Sequence, residues 1–135
     1  MPHFIFLCLC LLLLTGCQPK PAENSVRVLQ QQAGLLLTLS PASAPVESPL
    51  LLTLQSEQPV NVISAELSGV SMYMGRIPLH FQKLNTPLPG DTEQWQAEFL
   101  LGACSDQAML WQLNLTLLLS DGRKLSINEQ FRSSW

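Results

Sequence analysis

The sequence predicts an all-β fold: an immunoglobulin-like sandwich of two sheets and about seven strands that follows an apolar N-terminal segment. Three observations carry the prediction. Apolar and polar residues alternate along most of the chain after residue 25, turn residues interrupt the alternation at short intervals, and no segment shows a convincing helical period. Seven or eight short strands within ~110 residues are typical of a two-sheet sandwich, with a small barrel as the alternative.

The first seventeen residues predict an export signal. Phe4 to Leu14 is an unbroken apolar run, long enough for a signal peptide core but short of the ~20 residues that span a bilayer as a helix. The run closes on Leu14-Thr15-Gly16-Cys17, which resembles the lipobox of bacterial lipoproteins. The resemblance implies that residues 1–16 are a cleaved signal peptide and that Cys17 carries lipid. An ordinary cleaved signal and an uncleaved anchor are the alternatives.

The residues after Cys17 indicate how the domain is held. Residues 17–25 are polar and contain Pro19 and Pro21, which predicts a short tether before a domain over residues 26–135. Acyl chains contribute ~0.8 kcal/mol per buried methylene, so lipid on Cys17 anchors the chain to a membrane without a transmembrane helix. We expect a cell-envelope protein facing the periplasm. Gln18 favours the outer over the inner membrane by the usual sorting pattern of such lipoproteins.

The strands are predicted from side-chain alternation and bounded by turn residues. Leucines recur at every second position in residues 35–39 and 50–54, and three prolines interrupt the chain between these segments. Ile63, Ala65 and Leu67 predict an inward face, and Asp121-Gly122 predicts a hairpin turn. The predicted strands cover residues 26–31, 35–39, 50–54, 63–67, 77–84, 95–101, 109–117 and 125–127.

Composition and motifs narrow the function. The net charge of −3 comes with no basic patch, so we expect no nucleic-acid partner. After the signal, His80 is the one histidine, and the chain has no nucleophile-histidine spacing, Gly-rich phosphate loop or Cys-x-x-Cys motif. We therefore expect a protein that is not an enzyme. Cys8 and Cys10 leave with the signal, which makes Cys104 the one remaining thiol once Cys17 is acylated.

A methionine pair is the feature that stands out in the mature chain. Met72 and Met74 lie two residues apart between Gly69 and Gly75, and so on one face if the segment is a strand. If the inward phase of Ile63 continues, both methionines point outward. If Gly69 hosts a bulge, both become core residues.

Sulfur ligands select Cu(I), and a Met-x-Met pair with further sulfurs is a chemically sensible site for it. Cys104 and Met109 are the candidates for the remaining donors, on either side of a predicted turn at residues 105–108, with His80 as a further option. The opposing interpretation is packing. Met109 shares its periodic face with Trp111 and with Leu113, and a buried cysteine behaves as a small apolar residue.

The order of these features resembles the FixH/YtkA-like domain family. The resemblance runs from Ser48 to Phe131 through Met72-Tyr73-Met74-Gly75 and Trp111-Gln112-Leu113, although no glycine precedes the tryptophan. It implies an immunoglobulin-like fold and, for some members, a link to copper supply and cytochrome oxidase assembly. The leading hypothesis is a lipid-anchored Cu(I)-binding domain. The alternative is a structural lipoprotein that docks an envelope protein partner without metal.

Overall fold

The computed structural model describes residues 25–86 and 88–135, and it confirms the predicted all-β sandwich. The predicted signal peptide, Cys17 and all of the tether except Ser25 lie outside the described residues. Across the described residues, nine strands form two antiparallel sheets that pack together. The strands are β1 (Arg27–Gln32), β2 (Leu35–Ser40), β3 (Leu50–Ser56), β4 (Val60–Gly69), β5 (Arg76–Pro78), β6 (Gln82–Leu84), β7 (Glu93–Phe99), β8 (Leu110–Leu119) and β9 (Lys124–Arg132).

The strand order is that of an immunoglobulin-type sandwich with one added strand. The five-stranded sheet runs β1-β2-β3-β7-β6 and the four-stranded sheet runs β5-β4-β8-β9. Without β1, these orders match the ABED and C′CFG sheets of immunoglobulin domains. Within the described ranges, no helix is long and apolar enough to cross a bilayer.

The core lies between the sheets and is built mainly from leucine. Alternate residues of β2, β3 and β8 face inward, where they are almost fully buried, because side chains point to opposite faces at each step along a strand. Trp111 fills the largest volume among the fully buried side chains, and its Nε1 donates a 3.3 Å hydrogen bond to Ser133 Oγ. The leucine periodicity therefore predicts the buried faces of these strands correctly.

Two predictions about strands are wrong. Ile63 was expected to face inward, but it is 49% exposed, because the pairing register shifts between Val62 and Ser64 and moves Ile63 off the buried face. The single strand predicted over residues 77–84 is two strands in different sheets. Pro78, which has no N–H to extend the ladder, ends β5. The chain then crosses through the buried Leu79 to β6 in the other sheet.

One end of the sandwich, which we call the upper end, gathers the first described residue and three interstrand connections. Ala42 N–H donates to the Ser25 carbonyl, so the chain enters the domain there. Glu47 N–H, in the β2–β3 connection, donates a 2.8 Å hydrogen bond to the Leu101 carbonyl in the β7–β8 connection. Val46 N–H donates to the Ser134 carbonyl, which brings the segment after β9 to the same place. The β4–β5 connection, residues 70–75, completes this end.

Candidate functional site

The loop that carries Met72 and Met74 begins at Gly69, where two atoms lie in the space a side chain would need. A Cβ at Gly69 would overlap the carbonyl oxygen of Met72 and the terminal methyl group of Met109. Only glycine lets the backbone turn back this tightly over β8. Val70 N–H then donates a 2.8 Å hydrogen bond to the Leu110 carbonyl, which holds the start of the loop against β8.

Ser71 and Asp106 fasten this loop to the β7–β8 connection. Ser71 Oγ donates to Asp106 Oδ2 at 2.9 Å and accepts from Leu110 N–H at 3.0 Å. Asp106 Oδ1 accepts a 3.0 Å hydrogen bond from Ala108 N–H. The hydrogen bond from Ala108, followed by that from Ser71, holds the pKa of Asp106 below its ordinary value, so the carboxylate is ionised at neutral pH.

The two fastened loops bring together two of the sulfur atoms that the sequence singled out. Cys104 Sγ lies 3.0 Å from Met72 Sδ, and the thiol donates toward the thioether. Met72 is 40% exposed and Cys104 is half-buried. The two residues are 32 positions apart in the sequence, so the arrangement of the loops, not local spacing, creates this sulfur pair.

Met74 and Met109 flank the sulfur pair. Met74 is half-buried and packs against the core, with its terminal methyl 3.7 Å from the place where a Cβ on Gly102 would lie, two residues before Cys104. Met109 is 1% exposed and belongs to the core, as its shared phase with Trp111 and Leu113 indicated. Its methyl group lies beneath the tight turn at Gly69.

The expectation that Met72 and Met74 share a strand face is wrong. Strand β4 ends at Gly69, and residues 70–75 form a loop. The two methionines neither both point outward nor both lie in the core, because Met72 is exposed and Met74 packs inward. A bulge at Gly69 was one of the two alternatives, and the register shift in β4 lies instead between Val62 and Ser64.

The sulfur pair has the donor chemistry and the exposure that a soft monovalent metal needs. Metal–sulfur bonds of ~2.3 Å place two sulfurs ~4.0 Å apart at a trigonal centre and ~4.6 Å apart at a linear one. Met72 and Cys104 would therefore have to separate by about 1 Å to hold an ion in trigonal geometry. The described ranges contain no group of three His, Cys, Asp or Glu side chains that could hold a metal. The sulfur pair differs from such groups, because one of its donors is the thioether of Met72 and methionine is not one of those four residue types.

His80, the further donor option, is exposed and lines a cleft of about 310 Å³ with Leu51 and Gln82, and neither sulfur of the pair lines that cleft. Sequence reasoning missed the roles of Ser71 and Asp106. The available signal was Asp106 within the predicted turn, since Asp side chains there commonly accept a hydrogen bond from the backbone two residues on.

Comparisons with known proteins bear on the fold alone. A scan against protein-family models finds no match, and a search of curated proteins finds none. Among solved structures, the chain is similar to the crystal structure of a DUF4426 family protein from Pseudomonas aeruginosa, with a TM-score of 0.52 and 12% identity. The similarity covers 78% of this chain and 93% of that one. It supports the class of small β domain that the strand order defines.

Proposed function

We propose that this chain is a lipid-anchored cell-envelope domain that binds Cu(I) through Met72 and Cys104, with Met74 as a third donor. The observation that carries the proposal is the 3.0 Å separation of Cys104 Sγ and Met72 Sδ at an exposed loop. A thiolate and a thioether are both soft ligands, and such ligands select Cu(I) over harder cations. Met109 is not a donor in this proposal, because its side chain is buried in the core.

The hydrogen-bonded loops support a binding site that is formed before the metal arrives. Ser71 and Asp106 hold the two loops together without using either sulfur, so the loops keep their support when the sulfurs exchange their mutual contact for a ligand. A site whose supports are already in place loses less conformational entropy on binding. The resemblance to FixH/YtkA-like domains points in the same direction, toward copper supply or oxidase assembly.

Competition with a chelator tests the copper site. We expect the reduced full chain to bind one Cu(I) against a chelator of micromolar affinity, with release of the Cys104 proton. Cys104→Ser and Met72→Leu should each weaken binding at least tenfold, and Met74→Leu should weaken it less. Mg(II) and Ca(II) should not compete, because they prefer oxygen donors.

Met109→Leu is the matched control, since it makes the same chemical change at a buried position. It should leave Cu(I) affinity within about threefold and cost less than ~1.5 kcal/mol of unfolding free energy, as conservative core swaps do. Equal affinity of the wild type, Met72→Leu and Cys104→Ser would contradict the proposal. The docking lipoprotein would then take its place.

Anchoring is tested separately from copper. Cys17→Ser should abolish incorporation of labelled fatty acid and leave the chain uncleaved or in the soluble fraction, while Cys104→Ser should label as the wild type does. The comparison of two cysteines in one chain shows which of them is acylated. Unchanged labelling of Cys17→Ser would rule out the lipid anchor.

A further inference from the structure

Exposed apolar side chains concentrate at the upper end of the sandwich. Two of them are large aromatics with a polar atom on the ring: Tyr73 is 85% exposed and Trp135 is 66% exposed. The others project from the chain entry and from the two loops of the sulfur pair. In contrast, Val28 lies within β1, where it pairs with Thr38, and Ile63 lies toward the opposite end, where Val62 pairs with Leu117. The exposed large apolar residues at the upper end, which we call the apolar rim, are Val26, Val70, Met72, Tyr73, Leu100 and Trp135.

The reach of the chain before the domain favours one orientation on a membrane. Ser25 lies eight positions after Cys17, and eight extended steps of the chain span at most ~29 Å. Strand β8 alone has ten residues, a length of ~33 Å. Because Ser25 lies at the upper end, lipid on Cys17 keeps this end within ~29 Å of the bilayer, less than the length of β8, which favours contact through the upper end.

The chemistry of the rim fits the interface between lipid and water. Tyrosine and tryptophan concentrate at headgroup level in membrane proteins, since each combines an apolar ring with a hydrogen-bonding atom. Both signs of formal charge occur at this end, where Arg27 and Arg132 accompany Glu47 and Asp106. The contact therefore depends on apolar burial and aromatic rings more than on attraction to anionic lipid.

We propose that the apolar rim is a membrane-contact surface, on which Tyr73 and Trp135 insert at headgroup level and turn the sulfur pair toward the bilayer. The inference rests on the proposed acylation of Cys17 but not on copper binding. An envelope protein that covered the same rim is the competing occupant. The short tether favours lipid, because acylation of Cys17 always holds the upper end close to a bilayer.

Tryptophan quenching tests the contact on the acylated full chain without copper. The protein is placed in phosphatidylethanolamine and phosphatidylglycerol vesicles whose acyl chains carry bromine, with unbrominated vesicles for reference. Trp111 is shielded in the core and Trp135 is exposed. Since Trp135 is one of three tryptophans, its insertion should remove up to about a third of the emission. Trp135→Phe should abolish most of that loss, and raised salt should change it little.

Matched substitutions separate insertion from mere tethering. Tyr73→Ser should reduce the quenching of Trp135 at least twofold, whereas Ile63→Ser, at an exposed apolar residue away from the rim, should not. Equal emission in brominated and plain vesicles would overturn the proposal. In cells, a benzophenone amino acid in place of Tyr73 should form lipid adducts, and protein adducts alone would assign the rim to a protein partner. The mass of the purified chain reports acylation independently, and chelator competition reports copper, so each failure is distinguishable.

Discussion

Replacement of Gly69 by alanine tests whether the tight turn at the end of β4 builds the sulfur pair. The added Cβ would overlap one flexible atom, the Met109 methyl, and one backbone atom, the Met72 carbonyl oxygen. The methyl can rotate away, but the carbonyl moves only if the loop moves. We therefore expect residues 70–72 to lift off β8 in Gly69→Ala.

The loss of unfolding free energy in Gly69→Ala follows from the contacts that break when the loop moves. The Val70 hydrogen bond to the Leu110 carbonyl and the Leu110 hydrogen bond to Ser71 Oγ both span the gap that must widen. At about 1 kcal/mol for each hydrogen bond, and with a further ~1 kcal/mol for crowding of Met109, the loss is about 3 kcal/mol. For a domain of this size, that corresponds to a fall in Tm of roughly 12 °C.

Urea unfolding of Gly69→Ala and Gly102→Ala measures this cost against a matched control. A Cβ on Gly102 meets nothing nearer than the Met74 methyl at 3.7 Å, an ordinary contact, so Gly102→Ala should change stability by less than ~1 kcal/mol. Gly69→Ala should also weaken Cu(I) binding, because Met72 moves with the loop. Equal unfolding free energies for the two variants would refute the reasoning.

Three further predictions concern the core, a buried hydrogen bond and pH. Leu113→Ala should cost 2–5 kcal/mol in urea unfolding, since it opens a cavity at a residue that is fully buried between the sheets. Ser133→Ala should cost ~1–3 kcal/mol, because the indole N–H of Trp111 then loses its partner inside the core; a cost below 0.5 kcal/mol would show that another acceptor takes over. Burial acts to raise the pKa of Glu93, but hydrogen bonds from Lys83 and Val60 outweigh it and hold that pKa below its ordinary value. The stability that Glu93 contributes is therefore present above its unfolded pKa and is lost as pH falls through the lower folded value. Urea unfolding from about pH 6 to pH 3 should show a shallower decline for Glu93→Gln than for the wild type, and parallel curves would contradict this linkage.

The sequence predicted most of the fold because its strongest signal is local. In β2, β3 and β8, leucine at every second position reports directly which side chains meet the opposite sheet. The hairpin turn at Asp121-Gly122 was equally predictable from the sequence, and Gly122 has the positive φ that this turn uses. The division of residues 77–84 between two sheets was not predicted, because a change of sheet depends on which strands lie nearby and leaves the apolar spacing unaltered.

The candidate site was predicted in composition but not in geometry. Spacing alone suggested that Met72 and Met74 would act as a pair, yet Met72 lies beside Cys104, 32 residues away. That proximity depends on the Ser71 and Asp106 hydrogen bond and on the missing side chain at Gly69, and neither is visible in a local pattern. The burial of Met109 was correctly indicated by its phase with Trp111, because that evidence lies within one strand.

The β7–β8 connection crosses from the five-stranded sheet to the four-stranded sheet, and Cys104 lies within it. Met72 belongs to a loop between two strands of the four-stranded sheet. An ion held by both sulfurs would therefore be a cross-link between segments that must separate when the sandwich unfolds. Ligands that bind only the folded state add about 2.7 kcal/mol of stability at a free concentration of one hundred times Kd. By the same linkage, a partner that loosens these loops would lower the affinity for the ion and release it while both sheets stay intact.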